Sequence, residues 1–330
     1  MNYLGEQALA LNLYSKEAIC WLNIKLKGRR TVTNPTGHTC NETNCNHCKK
    51  GNKRKGLDQE FRDLFSDEII SDLICSKPSR LFNINQYLRR QYGSISGKNV
   101  ADFDKFCKEL IVESGYERWF INRKKNYWLA KLLNQHTCTY CNREYIFVFK
   151  NSSGGKGMVP QFDHWFAKTD YPLLALSFYN LIPSCATCNT IKSATPFNLN
   201  DHLHPYVDKK ISSSYNFSYL PINLSTNKII LKTVNTFDRK ATNTIRALNL
   251  SLIYKGHSEK ELQDLIDLRY KYTENYLNIL LDKTFNGLRV SKEERFRLIF
   301  GIEIEEDKYH KRIMSKFKND IIKELLTIEK

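Results

Sequence analysis

Residues 138–192 read CTYCNREYIFVFKNSSGGKGMVPQFDHWFAKTDYPLLALSFYNLIPSCATCNTIK, and two C-x-x-C pairs, Cys138/Cys141 and Cys185/Cys188, bracket the segment. Zn²⁺ takes four tetrahedral thiolate or imidazole ligands, and a two-residue spacer lets both cysteines of a pair reach one ion. Two such pairs this far apart predict a single shared zinc that closes the loop between them. A redox role would instead call for one pair within a βαβ pattern, which this chain lacks. Four thiolates fill the zinc coordination shell, so this ion is structural and the chemistry belongs to the side chains it positions.

Between the pairs, Glu144–Lys150 (EYIFVFK) is rich in β-branched and aromatic residues and predicts a strand. Asn151-Ser-Ser-Gly-Gly is a turn signal, and Val159–Trp165 predicts the return strand, with Asp163-His164 near its end. Leu173–Tyr179 predicts a short helix or strand, Asn180-Leu181-Ile182-Pro183 a turn, and Cys185 the start of a helix. Ser153-Gly-Gly-Lys156-Gly lacks the spacing of a phosphate-binding loop and reads as the hairpin turn.

The order C-x-x-C, Asp163-His164 at a hairpin end, Asn180, then Cys185-x-x-Cys188-Asn189-x-x-Lys192 resembles the HNH nucleases, built on the ββα-metal (His-Me) finger. The resemblance implies that His164 is the general base, that Asp163 and Asn189 hold one divalent cation, Mg²⁺ or Mn²⁺, and that Asn180 pins the loop orienting His164. Many members carry His where Asn189 stands; an amide oxygen also serves as a ligand. The residues support this chemistry independently. A neutral imidazole titrates near working pH and can take a proton from water. One carboxylate and one amide make an open oxygen site suited to Mg²⁺ or Mn²⁺. Arg143 and Lys192 flank the cysteine pairs as candidate phosphate contacts, with a solvated surface charge as the competing reading.

The whole chain has 330 residues, 51 Lys+Arg against 35 Asp+Glu and a formal charge of +16, an excess that favours a polyanionic partner, most simply double-stranded DNA. No secretory signal or membrane-length apolar run is evident, so a cytoplasmic location without membrane attachment is expected. Ten cysteines then point to metal or reduced thiols, with Cys20, Cys75 and Cys107 in apolar-patterned segments expected in the core. Residues 31–56 are loop-like and poor in apolar residues; His38, Cys40, Cys45 and Cys48 form a candidate second zinc set there, followed by Lys49, Lys50, Lys53, Arg54 and Lys55.

The pattern predicts a mostly helical α+β protein in three parts: a basic helical region over 1–135, the finger over 136–208, and short strands followed by helices over 209–330. Helices are expected over 58–75, 102–113 and 116–134, two or three strands over 212–236, and capping boxes at Ser258/Glu261 and Ser291/Glu294. Ile313, Phe317, Ile321 and Leu325 mark a final amphipathic helix. The run from the finger through TFDRKATNTIRALNLSLIYKGHSEKEL to SKFKNDIIKEL is similar to bacterial HNH proteins of anti-phage defence systems, including the Septu and retron-associated nucleases. That likeness implies an effector restrained or aimed by a partner, often an ATPase. The alternative to an endonuclease is a non-catalytic, zinc-containing nucleic-acid-binding protein.

Overall fold

A computed structural model describes residues 1–40, 45, 54–149, 157–223, 226–235, 237–271, 279 and 290–327. Among these the chain is mostly helical, with two small antiparallel sheets. No described helix is long and apolar enough to cross a membrane.

Helix α1 (Ala8–Lys27) buries Tyr14, Ala18, Trp21, Leu22 and Ile24. Trp21 stacks on Trp119, with ring centroids 5.4 Å apart. The expected helix over 58–75 is two helices, α2 (Gln59–Asp63) and α3 (Asp67–Cys75). The break has a local cause: Ser66 caps α3, its hydroxyl accepting a hydrogen bond from the Ile69 N–H. Pro78 opens α4 (Pro78–Gly93), where its missing N–H costs nothing. α5 (Val100–Cys107) is capped by Asn99 and continues as a wider, π-type helix over Lys108–Asn122, so the two expected helices begin as one rod. α6 (Lys125–Leu133) ends it before the first cysteine pair.

The finger departs from the expected pairing. Strand β1 (Gln161–His164) pairs antiparallel with β2 (Leu181–Ser184), in register from Gln161 opposite Ser184 to His164 opposite Leu181. Residues 181–183, expected as a turn, are therefore strand. Of the expected strand over Glu144–Lys150, the described residues make only isolated bridges, Thr137 to Tyr145 and Phe149 to Met158. The inversion has a physical reason. Leu181–Ser184 is buried at every position and so shows no alternation, and in a two-stranded sheet Pro183 costs no ladder bond to a third strand. Residues 145–149 alternate as a strand would, yet Tyr145, Phe147 and Phe149 face solvent. After β2 comes α7 (Ala186–Lys192), with Cys185 as its cap, as expected.

Strands β3 (Tyr215–Pro221) and β4 (Asn227–Thr233) form the second sheet in full register. Helices α8 (Arg239–Ala247), α9 (Leu250–Lys255), α10 (Gln263–Lys271), α11 (Lys292–Phe300) and α12 (Ser315–Thr327) follow. The capping box at Ser291/Glu294 is formed. The one expected at Ser258/Glu261 is not, because the Ser258 hydroxyl instead accepts the backbone N–H of Ile229 in β4.

One continuous cluster of buried apolar side chains runs from Met1 to Leu250 and includes the finger; a second joins β3 and β4 to the C-terminal helices. The first cluster presses α1 and the π-type helix against the connection between β1 and β2. Tyr14 donates its hydroxyl to the Leu176 carbonyl at 2.8 Å. A Cβ on Gly115 would lie 2.6 Å from Leu176 Cδ1 and 3.0 Å from Trp21. Gly115→Ala is therefore expected to destabilise the protein by roughly 1–3 kcal/mol, as overpacked core sites do. An unchanged midpoint in urea denaturation would show that the helix can shift freely there.

Candidate active site and cysteine clusters

Cys138, Cys141, Cys185 and Cys188 are all buried, and their sulfurs lie within 4.8 Å of one another. A tetrahedral ion with Zn–S bonds of about 2.3 Å sets its sulfurs about 3.8 Å apart; Cys141 Sγ is 3.9 Å from Cys185 Sγ. Backbone N–H groups of Cys185, Arg143 and Cys188 donate to the sulfurs of Cys138, Cys141 and Cys185 at 3.3, 3.4 and 3.4 Å. Hydrogen bonds from the Cys138, Cys185 and Cys188 side chains hold the Cys141 thiol well below its ordinary range, while burial pushes Cys138 up and hydrogen bonding within the cluster pushes Cys188 up, so without a metal Cys141 is the thiolate of the cluster. Such donors favour the thiolate, the form that binds metal.

A second set, Cys20, Cys40 and Cys45, meets the same 4.8 Å limit. Both clusters can hold a metal such as zinc. The second differs from the expected ligand set. Cys20, expected only as core, joins it from α1, whereas His38 does not, and Cys48 lies outside the described residues. The His38 Nε2 is buried without a partner, and the backbone of His38 is fastened elsewhere, its N–H donating to the Gly28 carbonyl.

His164 closes β1. Its Nε2 lies 3.0 Å from the Ala175 carbonyl oxygen. A carbonyl only accepts, so Nε2 carries the proton and Nδ1 keeps a lone pair. The edge of Tyr116 packs on the imidazole, with centroids 4.4 Å apart. Burial, followed by the charge of Lys168, pushes its pKa down to about 3, so His164 is neutral at physiological pH. Asn180 fixes the connection that carries Ala175. Its Oδ1 accepts from the Phe166 N–H at 2.7 Å, and its Nδ2 donates to the carbonyls of Leu174 at 3.0 Å and Phe166 at 3.2 Å.

His164, Asp163 and Asn189 line one cavity of about 410 Å³, together with Tyr116 and Lys168. Asp163 is buried and accepts the Tyr140 hydroxyl at 2.6 Å. The amide nitrogen of Asn189 donates to Gln161 Oε1 at 2.7 Å, which assigns the opposite atom of the amide as the oxygen. Lys192 corrects the expectation of a phosphate contact: its side chain is 0 % exposed. Its ammonium reaches inward, 3.3 Å from Asp163 and 2.7 Å from the His164 carbonyl oxygen, and sits over the Phe197 ring. Burial pushes both partners toward their neutral forms, raising Asp163 and lowering Lys192, and each charge opposes the shift of the other. Arg143 is half-buried and paired with Glu144. His204 packs on Trp165 and His202 on Phe197; neither lines the cavity.

Tyr116, Tyr140 and Lys168 stand at the site without a sequence signal of their own. Tyr140 and Lys168 lie within the finger segment, but neither residue type marks a site by itself. Tyr116 arrives from a helix far away in sequence, which no local signal reveals. Comparison with protein-family models, with curated proteins and with solved structures returned no match.

The neutral His164 makes stability pH-dependent. Its pKa falls from 6.5 to about 3 on folding, so the unfolded chain binds the proton first and stability drops as pH falls through that window. Replacing it by Asn should flatten the stability–pH curve between these limits by up to about 1.4 kcal/mol per pH unit. Parallel curves for the two proteins would mean that His164 is protonated in the fold. Lys192→Met leaves the Asp163 carboxylate buried without its cation and should cost about 3–5 kcal/mol. Chemical denaturation measures this, and a loss below about 1 kcal/mol, the scale of an exposed pair, would mean that the pair is solvated.

Proposed function

We propose that the chain is a metal-dependent HNH endonuclease that hydrolyses phosphodiester bonds of DNA. The observation that carries this reading is the hydrogen bond from His164 Nε2 to the Ala175 carbonyl, in a cavity that Asp163 and Asn189 also line. In this reading, with Nε2 held by that carbonyl, a proton moves from water to Nδ1 as the water oxygen attacks phosphorus and the P–O bond to the leaving sugar oxygen breaks. The pKa of about 3 is too low for an efficient base at neutral pH, so the step requires the negative charge of the bound phosphate to favour the imidazolium. Asn180, through Phe166 and Leu174, holds the segment that sets this orientation.

Asp163 and Asn189 would hold a divalent cation. An all-oxygen donor pair fits Mg²⁺ or Mn²⁺ better than zinc, and such an ion supplies charge neutralisation at the phosphate and the leaving oxygen. Lys192 then serves as a positioning residue for Asp163. The phosphate-contact role passes to Lys168, on the cavity wall and 40 % exposed. The excess of 51 basic over 35 acidic residues supports a nucleic-acid substrate. The likeness of the C-terminal region to anti-phage HNH proteins makes a defence effector, working with a partner such as an ATPase, the biological setting of this reading.

One observation favours the non-catalytic alternative. Both carboxylate oxygens of Asp163 are engaged, by Tyr140 and Lys192, as in a purely structural clip. Supercoiled plasmid incubated with Mg²⁺, Mn²⁺ or EDTA separates the two readings. Cutting should require the divalent ion and fall by about 10²–10⁴-fold in His164→Ala, with the zinc content of that variant unchanged. Asn189→Ala should weaken cutting in a way that added Mn²⁺ partly restores. Salt-sensitive gel shifts without strand breaks under any metal would establish the binding module instead.

A further inference from the structure

We propose that Cys20, Cys40 and Cys45 form a second, structural zinc site that ties Cys40 and Cys45 to helix α1. The three sulfurs come from a helix and a loop distant in sequence, yet they lie within 4.8 Å of one another. Cys20 Sγ and Cys45 Sγ are 3.3 Å apart. These limits bracket the spacing of about 3.8 Å that one tetrahedral Zn²⁺ imposes on its sulfurs, and the finger's own thiols show the same spacing. A disulfide needs about 2.05 Å between sulfurs and joins only two of the three.

Cys20 is buried beside Ile24, and Cys40 and Cys45 pack against this pair in a small cluster separate from the main core. Among the described residues, the Asn34 side-chain amide donates to the Lys27 carbonyl at 3.0 Å and the Lys55 N–H to the Lys25 carbonyl at 2.9 Å, both in the last turn of α1. Cys20 stands on the same helix about 7.5 Å nearer its start, at 1.5 Å per residue. The segment 31–56 has few apolar residues to bury, and metal binding is a way for such a segment to gain folding free energy. Soft thiolates select zinc over the hard cation proposed at Asp163. Three thiolates leave one position of the tetrahedron for a further donor. The inference is independent of whether the chain cuts DNA.

The test is zinc content by mass spectrometry on the purified full-length protein after dialysis against Zn²⁺ and removal of excess. Two equivalents per chain are expected, falling by one in both Cys20→Ser and Cys45→Ser and unchanged in Cys75→Ser, which lies outside both clusters. Cys45 sits outside the helix, so its substitution keeps the test valid should Cys20→Ser fail to fold. The loss of one equivalent is decisive however much zinc the finger retains. Unchanged zinc in Cys45→Ser, or a Cys20–Cys45 disulfide in a non-reducing peptide map of the wild-type protein, would overturn the proposal.

Discussion

Four thiols drawn together from two ends of a long loop impose the geometry on which everything near the cavity depends. Cys185 and Cys188 set the start of α7, and Cys138 and Cys141 hold the chain entering the finger. With those ends fixed, β2 is carried alongside β1, and the connection between them must fold back over His164. A finger of this size buries too little to hold such a shape by apolar contact alone, so a bound metal or a neighbouring core has to share the work. The continuous cluster from Met1 onward provides the second of these.

That sharing explains why the helices are more than a carrier. Tyr14 reaches the Leu176 carbonyl, Gly115 lets Leu176 approach, and Tyr116 packs its edge against His164. The residue that accepts from His164, Ala175, is next to the one the helices press upon. Orientation of the proposed base is thus set from two sides, by Asn180 within the finger and by α1 and the π-type helix outside it. Dense packing passes small shifts between such layers.

The electrostatics of the cavity follow from burial more than from net charge. His164 is neutral because an imidazolium there would lose its water, and Lys192 and Asp163 persist as a pair because neither charge is stable alone. The formal charge of +16 is a property of the whole chain and bears on general attraction to polyanions rather than on the protonation of His164.

Ligand chemistry was legible in the chain itself. The spacing of Cys138, Cys141, Cys185 and Cys188, the cap at Cys185 and the adjacency of Asp163 and His164 are local features, and metal coordination or helix capping acts over a few residues. Tertiary structure decided the rest. It paired Gln161–His164 with Leu181–Ser184 rather than with residues 144–150, turned Lys192 inward, brought Tyr116 to the imidazole and drew Cys20 from its helix into the second thiol cluster. These outcomes depend on which surfaces meet between residues well apart in sequence, as Tyr116 and His164 are, and burial reassigns the role of a lysine, a cysteine or a short apolar run without changing its letter.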